Sequence, residues 1–269
     1  MNDRKLDGDG PGQAQANIHA PNRVDSNLGQ TEVKGRVDAA LEQEEWGAVP
    51  DDIAQTPHFK AWISSQESAG NRLDGAKVVF KFYVAGGKFL LYWGMQARVW
   101  VEAEQRYKEN EIVILRPDIK HVIALHRAKD PMDSKVVLIR EFRSTSSTSD
   151  GYIHETPGGS GFKPDNPEND AAKEFTEETG VSIDPKRLST MGARQVAGTT
   201  TTHKGHCFLL DLTNDEIVAI EGQVGETHGN KDETEVTHVE VYTVRQLLEQ
   251  PITDWSNLGM IFAALNKAK

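Results

Sequence analysis

Three glutamates spaced to share one side of a helix, with glycines just ahead of them, are the residues in this sequence best suited to chemistry. In the stretch from Gly158 to Val181, GGSGFKPDNPENDAAKEFTEETGV, Glu174 and Glu178 stand about 40° apart around a helix, and Glu177 lies about 60° to the other side of Glu174. Carboxylates this close repel one another, and a hard divalent cation with a preference for oxygen, Mg²⁺ or Mn²⁺, relieves that repulsion. Gly158, Gly159 and Gly161 mark a place where backbone can approach a ligand closely. The competing reading of the same acids is a solvated face of a Glu-rich helix.

The elements that must position these groups are legible around them. Asn166 followed by Pro167 predicts a helix N-cap with proline in the first turn, and Gly180 predicts its C-terminus. Ala172, Phe175 and Thr179 form a neighbouring stripe that packs on a sheet, which aims the acids sideways toward the glycines. Strands are expected over Val78 to Val84, Phe89 to Trp93, Val99 to Ala103, His121 to His126, Lys135 to Phe142, His206 to Leu212 and Thr237 to Thr243. Helices are expected over Val244 to Glu249 and Ser256 to Asn266. Upstream, residues 1–30 read as a disordered tail, because isolated apolar residues among Gly, Pro, Asn and Asp bury too little to offset chain entropy. Residues 31–69 read as a helical segment, from Val33, Val37 and Leu41 and then Phe59, Trp62 and Ile63 after Pro57. Residues 70–118 read as a β-meander, and the remainder as a mixed α/β domain.

Gly159, five residues, Asp165, seven residues and then Lys173-Glu174-Phe175-Thr176-Glu177-Glu178-Thr179-Gly180-Val181 resemble the Nudix box, with its spacing intact. Asp165 stands where the family pattern has Glu, and Lys173 where it has Arg. Lysine keeps the charge that holds a metal-binding Glu in place but cannot make the bidentate fork of a guanidinium. Val136-Val-Leu-Ile-Arg-Glu-Phe-Arg143 and Ile153-His-Glu-Thr-Pro-Gly-Gly159 are similar to the corresponding strand and loop of the ADP-ribose and ADP-sugar pyrophosphatase branch. The resemblance implies a Nudix fold, a mixed β-sheet sandwiched between helices (α/β/α), over residues 119–269. It implies metal ligation by Gly158 through its carbonyl and by Glu174, Glu177, Glu178 and Glu235, with Mg²⁺ or Mn²⁺ as cofactor. Glu233 is implied as the base acting on the attacking water, with Glu177 as a second catalytic group, and Arg140, Arg143 and Glu155 as substrate contacts. The meander at 70–118 is implied as a homodimer surface.

The activity so implied is hydrolysis of the pyrophosphate bond of a nucleoside diphosphate sugar to a nucleoside monophosphate and a sugar phosphate. Two alternatives use the same residues: a non-catalytic module that binds ADP-ribose or a related nucleotide, and an RNA 5′-end pyrophosphohydrolase. Against the last, 30 Lys and Arg face 41 Asp and Glu, a net charge of −11, so no nucleic-acid or acidic-membrane partner is expected. Residues 165–178 carry net −5 and residues 226–240 net −4, most of the acid excess. Cations between those carboxylates and a diphosphate would reconcile an acidic protein with an anionic substrate. A single cysteine, Cys207, and a polar N-terminus favour a cytoplasmic setting. The hydroxyl-rich loop Ala197 to His203, and His203, His206 and His228, read more simply as structural than as ligands.

Overall fold

The computed structural model describes residues 45–160, 166–229 and 235–267, and the backbone of 36–38. The expected tail at 1–30 lies outside them, as do Val33, Leu41, Asp165 and Glu233. The described chain is mixed α/β, built on two sheets.

The first sheet has the order β1 (Arg36–Asp38), β2 (Arg72–Val84), β3 (Phe89–Val101), β4 (Arg106–Lys108), with β5 (Ile112–Leu115) also paired to β3. Helices α1 (Asp51–Ala54) and α2 (Pro57–Ser68) bring Ile53 and Phe59 onto Ala76, Val78, Trp93, Met95 and Leu115. Helix α2 begins where Pro57 predicts, and the Thr56 hydroxyl accepts from the Phe59 amide. Two expectations are corrected. Val37 lies in a strand and not a helix, since Arg36 to Asp38 pair with Tyr83 to Lys81 of β2. A short isolated helix is marginal, whereas the edge of β2 supplies a ready ladder. The runs Phe89 to Trp93 and Val99 to Ala103 belong to one strand up to Val101, because Gly94 is not a turn: its bare Cα accommodates the Phe80 ring, which a Cβ would meet at 2.4 Å.

The second sheet runs β10 (Ser189–Gln195), β11 (Lys204–Asp211), β6 (Ile119–His126), β7 (Lys135–Phe142), β13 (Thr237–Thr243), β12 (Thr227–His228). Strands β11 and β6 are parallel, and the other pairs are antiparallel. Its faces follow the alternation of β6 and β7. Val122, Ala124 and Val137 pack with Phe175 of α3 (Pro167–Thr179) and with Ile217 and Ile220 of α4 (Asn214–Glu221). Ile123, Leu125, Val136 and Leu138 pack on the opposite face with Val244 and Leu247 of α5 (Val244–Glu249) and with Ile261 and Ala264 of α6 (Trp255–Leu265). Helices therefore cover both faces.

Strands β6 and β7 pair only at Leu125 with Val136 and His126 with Lys135. Beyond that they fork. Strand β8 (Tyr152–Glu155) zips onto β7, and β9 (Gly158–Ser160) zips onto β6. Thr156 and Pro157 cross the gap, and the Pro157 carbonyl accepts from the Val122 amide at 2.7 Å. Among the described residues no helix is long and apolar enough to cross a membrane.

Candidate functional site

Helix α3 has the predicted ends. The Asn166 side chain accepts from the Asn169 amide, Pro167 opens the first turn, and Gly180 closes the helix at φ +71°. Ala171, Ala172, Phe175 and Thr179 are buried against the sheet. Their burial fixes the rotation of the helix and turns Glu174 and Glu178 toward β9. The Gly158 N–H donates to Glu178 Oε2 at 2.8 Å.

The two glycines of β9 face different obstacles, backbone at Gly158 and the end of a side chain at Gly159. A Cβ on Gly158 would fall 1.9 Å from the Lys120 carbonyl oxygen of β6, and one on Gly159 would fall 2.7 Å from Cδ of Glu174. Strand β9 is thus held between β6 and the acidic side of α3, with no room for a side chain at Gly158 and room at Gly159 only if the Glu174 carboxyl moves. Lys120 also ties α3 down, its buried Nζ donating to Asp170 Oδ2 at 2.9 Å in the first turn.

Glu178 is 2% exposed. Burial raises its carboxyl well above the usual range; the Gly158 N–H opposes this, and the charges of Glu235, Glu174 and Glu155 add to it. Glu155 is likewise raised by burial, opposed by Arg143, reinforced by Asp254, opposed by Arg116 and reinforced by Glu235. Arg143 Nη2 lies 2.6 Å from Glu141 Oε2 and 3.7 Å from Glu235. The contact with Glu141 is a close ion pair without hydrogen-bond angles. These groups come from β7, β8, α3 and the approach to β13.

Of the sequence-derived residues, Glu174, Glu178, Glu155, Glu235, Arg143, Gly158 and Gly159 are brought together. Glu177 instead pairs with Lys173 at 3.1 Å on the outer side of α3, where Lys173 is 67% exposed. Such an exposed pair contributes little to stability. Arg140 is also placed apart. Strand alternation turns it from Glu141 toward Glu240, at 4.0 Å, and over the Tyr152 ring, at 4.7 Å. His203 and His206 pair with Thr201 and Asp118, and His228 lies against Gly180.

Three charged residues were missed. Glu141 is buried beside Arg143, and its place two residues earlier on the same strand was the available signal. Arg116 donates from Nη2 to Ser160 Oγ at 2.6 Å, and Asp254 reaches Glu155 electrostatically. Both come from remote segments that no local pattern connects to the site.

Glu141 carries a pH signature. Burial lifts its carboxyl from 4.5 to about 7, with Arg143 opposing and Glu235 and Glu155 reinforcing. The folded state therefore holds this proton more tightly than the unfolded chain, and stability present below about 4.5 is lost as pH rises through about 7. The span corresponds to roughly 3 kcal/mol at most. Glu141→Gln should make the decline shallower in a thermal-midpoint series from about pH 5 to 8 in chelator. An unaltered slope would show that this carboxyl is not its source.

Among the described residues, no three His, Cys, Asp or Glu side chains are gathered closely enough to hold a metal ion as they stand. The converging donors are nonetheless all carboxylate and backbone oxygens, the chemistry suited to Mg²⁺ or Mn²⁺ and unsuited to softer metals. No protein-family model and no curated protein sequence matches this chain.

Proposed function

We propose that this protein is a Nudix-type hydrolase that cleaves the pyrophosphate bond of a nucleoside diphosphate sugar with a divalent cation. The observation that carries the proposal is the buried Glu178 carboxyl, bonded to the Gly158 amide and crowded by Glu174, Glu235 and Glu155. Gathering carboxylates out of water is costly, and a cation-dependent site gives that arrangement a use.

In this reading Glu174, Glu178 and Glu235, with the Gly158 carbonyl, would hold Mg²⁺, and Glu177 would join them only by turning away from Lys173. A cation held there would supply charge neutralisation for the diphosphate and a lowered pKa for a bound water. Arg143 orients a phosphate oxygen, drawing on a guanidinium already beside Glu141 and Glu235. Glu155, held in position by the β7 ladder, faces the sugar side of the substrate. Glu233 takes the proton from the attacking water.

The test is a panel of ADP-ribose, ADP-glucose, UDP-glucose and GDP-mannose with Mg²⁺ or Mn²⁺. A nucleoside monophosphate and a sugar phosphate should form, stop forming in chelator, and form again when Mg²⁺ is restored. No product from any member with either cation would overturn the proposal. The exposed Lys173, paired with Glu177 on the outer side of α3, favours a second reading, a binding module without turnover. Saturable ADP-ribose binding without product in the same panel would identify it.

A further inference from the structure

Glu155 ends a strand that is gripped along both edges. Strand β7 holds one edge of β8, with Ile139 opposite Glu155 and Arg140 opposite His154. Side chains alternate along β8, so Glu155 stands on the α3 face of the sheet and His154 on the face of α5 and α6. The other edge of β8 is met by the segment that leads into α6, where Thr253 bridges His154 in parallel and its hydroxyl donates to the His154 carbonyl at 2.7 Å. Four residues on, Asn257 Oδ1 accepts from both the Thr156 amide and the Thr156 hydroxyl at 3.0 Å. The residues immediately before and after Glu155 are thus both fastened to one short segment, Thr253 to Asn257.

Donors and acceptors fix this fastening in one arrangement. An amide N–H only donates, so the side-chain oxygen of Asn257 faces Thr156 and its nitrogen faces Asp254, where Nδ2 donates to Oδ2 at 3.2 Å. Asp254 Oδ1 accepts from the Asn257 amide at 2.8 Å as the N-cap of α6, which ties the gripping side chain to its own helix. The Thr156 hydroxyl gives its proton to the bond with Asn257 and so accepts from His121 Nδ1 at 3.1 Å. Thr156 and Asn257 are buried, away from competing water. Gly158 has supports of its own, in the β6 ladder and the Glu178 carboxylate. No hydrogen bond among the described residues reaches the Glu155 carboxylate, so its aim depends on the backbone that Thr253 and Asn257 hold.

We propose that Thr253 and Asn257 are positioning residues that aim Glu155 at the substrate, so that the seat of α6 sets substrate affinity and not metal binding. This rests on the proposed nucleotide-sugar reading, in which Glu155 faces the sugar side. A carboxylate accepts from sugar hydroxyls, and such bonds weaken steeply with distance and angle. A shift of the backbone at Glu155 therefore weakens contacts made alike in the ground state and the transition state, which raises KM and spares kcat.

Kinetics of the full chain on the panel member with the fastest turnover test this, with Thr253→Val and Asn257→Ala made singly and in a Glu155→Ala background. Each single variant should raise KM about fivefold or more, with kcat and the half-saturating Mg²⁺ concentration within about twofold of wild type. Neither should raise KM further in Glu155→Ala, where the contact they aim is already gone. If Asn257→Ala fails to fold on losing the buried acceptor of Thr156, Thr253→Val, which removes one bond at the edge of β8, carries the test alone. Unchanged KM in Thr253→Val, an equal rise of KM in the Glu155→Ala background, or a joint change in kcat and half-saturating Mg²⁺ would overturn the clamp. The carboxyl carbon resonance of Glu155, assigned by its absence from Glu155→Ala, reads the clamp in chelator without substrate: it should move in both single variants while that of Glu178 stays. A resonance that moves, with no hydrolysis by wild type, keeps the clamp and removes the hydrolase; hydrolysis with an unmoved resonance and an unmoved KM does the reverse.

Discussion

Glu178→Gln is expected to lower Mg²⁺-dependent turnover by at least about a hundredfold while leaving the thermal midpoint in chelator unchanged or raised. Glutamine has the same shape and keeps an oxygen to accept the Gly158 N–H, so the contact between α3 and β9 survives. The new amide places donors among Glu174, Glu235 and Glu155, which are acceptors, and removes a buried group whose ionisation those neighbours oppose. Loss of an unfavourable buried charge stabilises by about 1 kcal/mol or more when the replacement is hydrogen-bonded. The same exchange deletes a hard anionic ligand, so any rise in midpoint that Mg²⁺ gives the wild type should shrink in the variant. Calorimetric scans with and without Mg²⁺, run beside the turnover assay, read both effects. Full turnover in Glu178→Gln would sink the metal-site proposal. A large fall in midpoint would show instead that the carboxylate is structural.

Gly158→Ala is expected to destabilise the fold by about 3 kcal/mol or more, the upper end of what overpacking costs. The added methyl would meet backbone, not a mobile side chain: the Lys120 carbonyl oxygen at 1.9 Å and its carbon at 2.9 Å. Relief requires β9 to leave β6, which also pulls the Gly158 amide from Glu178. Gly159→Ala makes the contrast. There the obstruction is the carboxyl end of Glu174, which can swing aside, so stability should hold near wild type while turnover falls. Denaturant midpoints give the stability order, and a Gly158→Ala variant as stable as wild type would show that the ladder between β6 and β9 gives way more easily than its spacing suggests.

The contrast also shows where sequence carried information. Helix α3 was legible to its ends because Asn166, Pro167 and Gly180 act locally, and the aim of Glu174 and Glu178 followed from the buried stripe of Ala172, Phe175 and Thr179. Strand β13 was bounded by its own alternation and by the change to helix at Val244. What failed depended on partners distant in sequence. Nothing near Val37 announces the edge of β2, and nothing near Gly94 announces the Phe80 ring. Arg116 and Asp254 reach the site only after two remote segments converge on Glu155. Arg140 is a different kind of miss, since the period of two that separates it from Glu141 and Arg143 is present in the strand itself.

The fork between β6 and β7 has a mechanical consequence. In many proteins the parts that handle ligands open locally at little cost, because they hang on loops. From Tyr152 to Ser160 this chain is ladder at both ends, with one end fastened to β7 and the other to β6. Gly158 cannot drift from Glu178 unless a rung of the central sheet breaks with it. The precision of the carboxylate cluster is thus inherited from the backbone spacing of two diverging strands, and it should persist for as long as the sheet itself is folded.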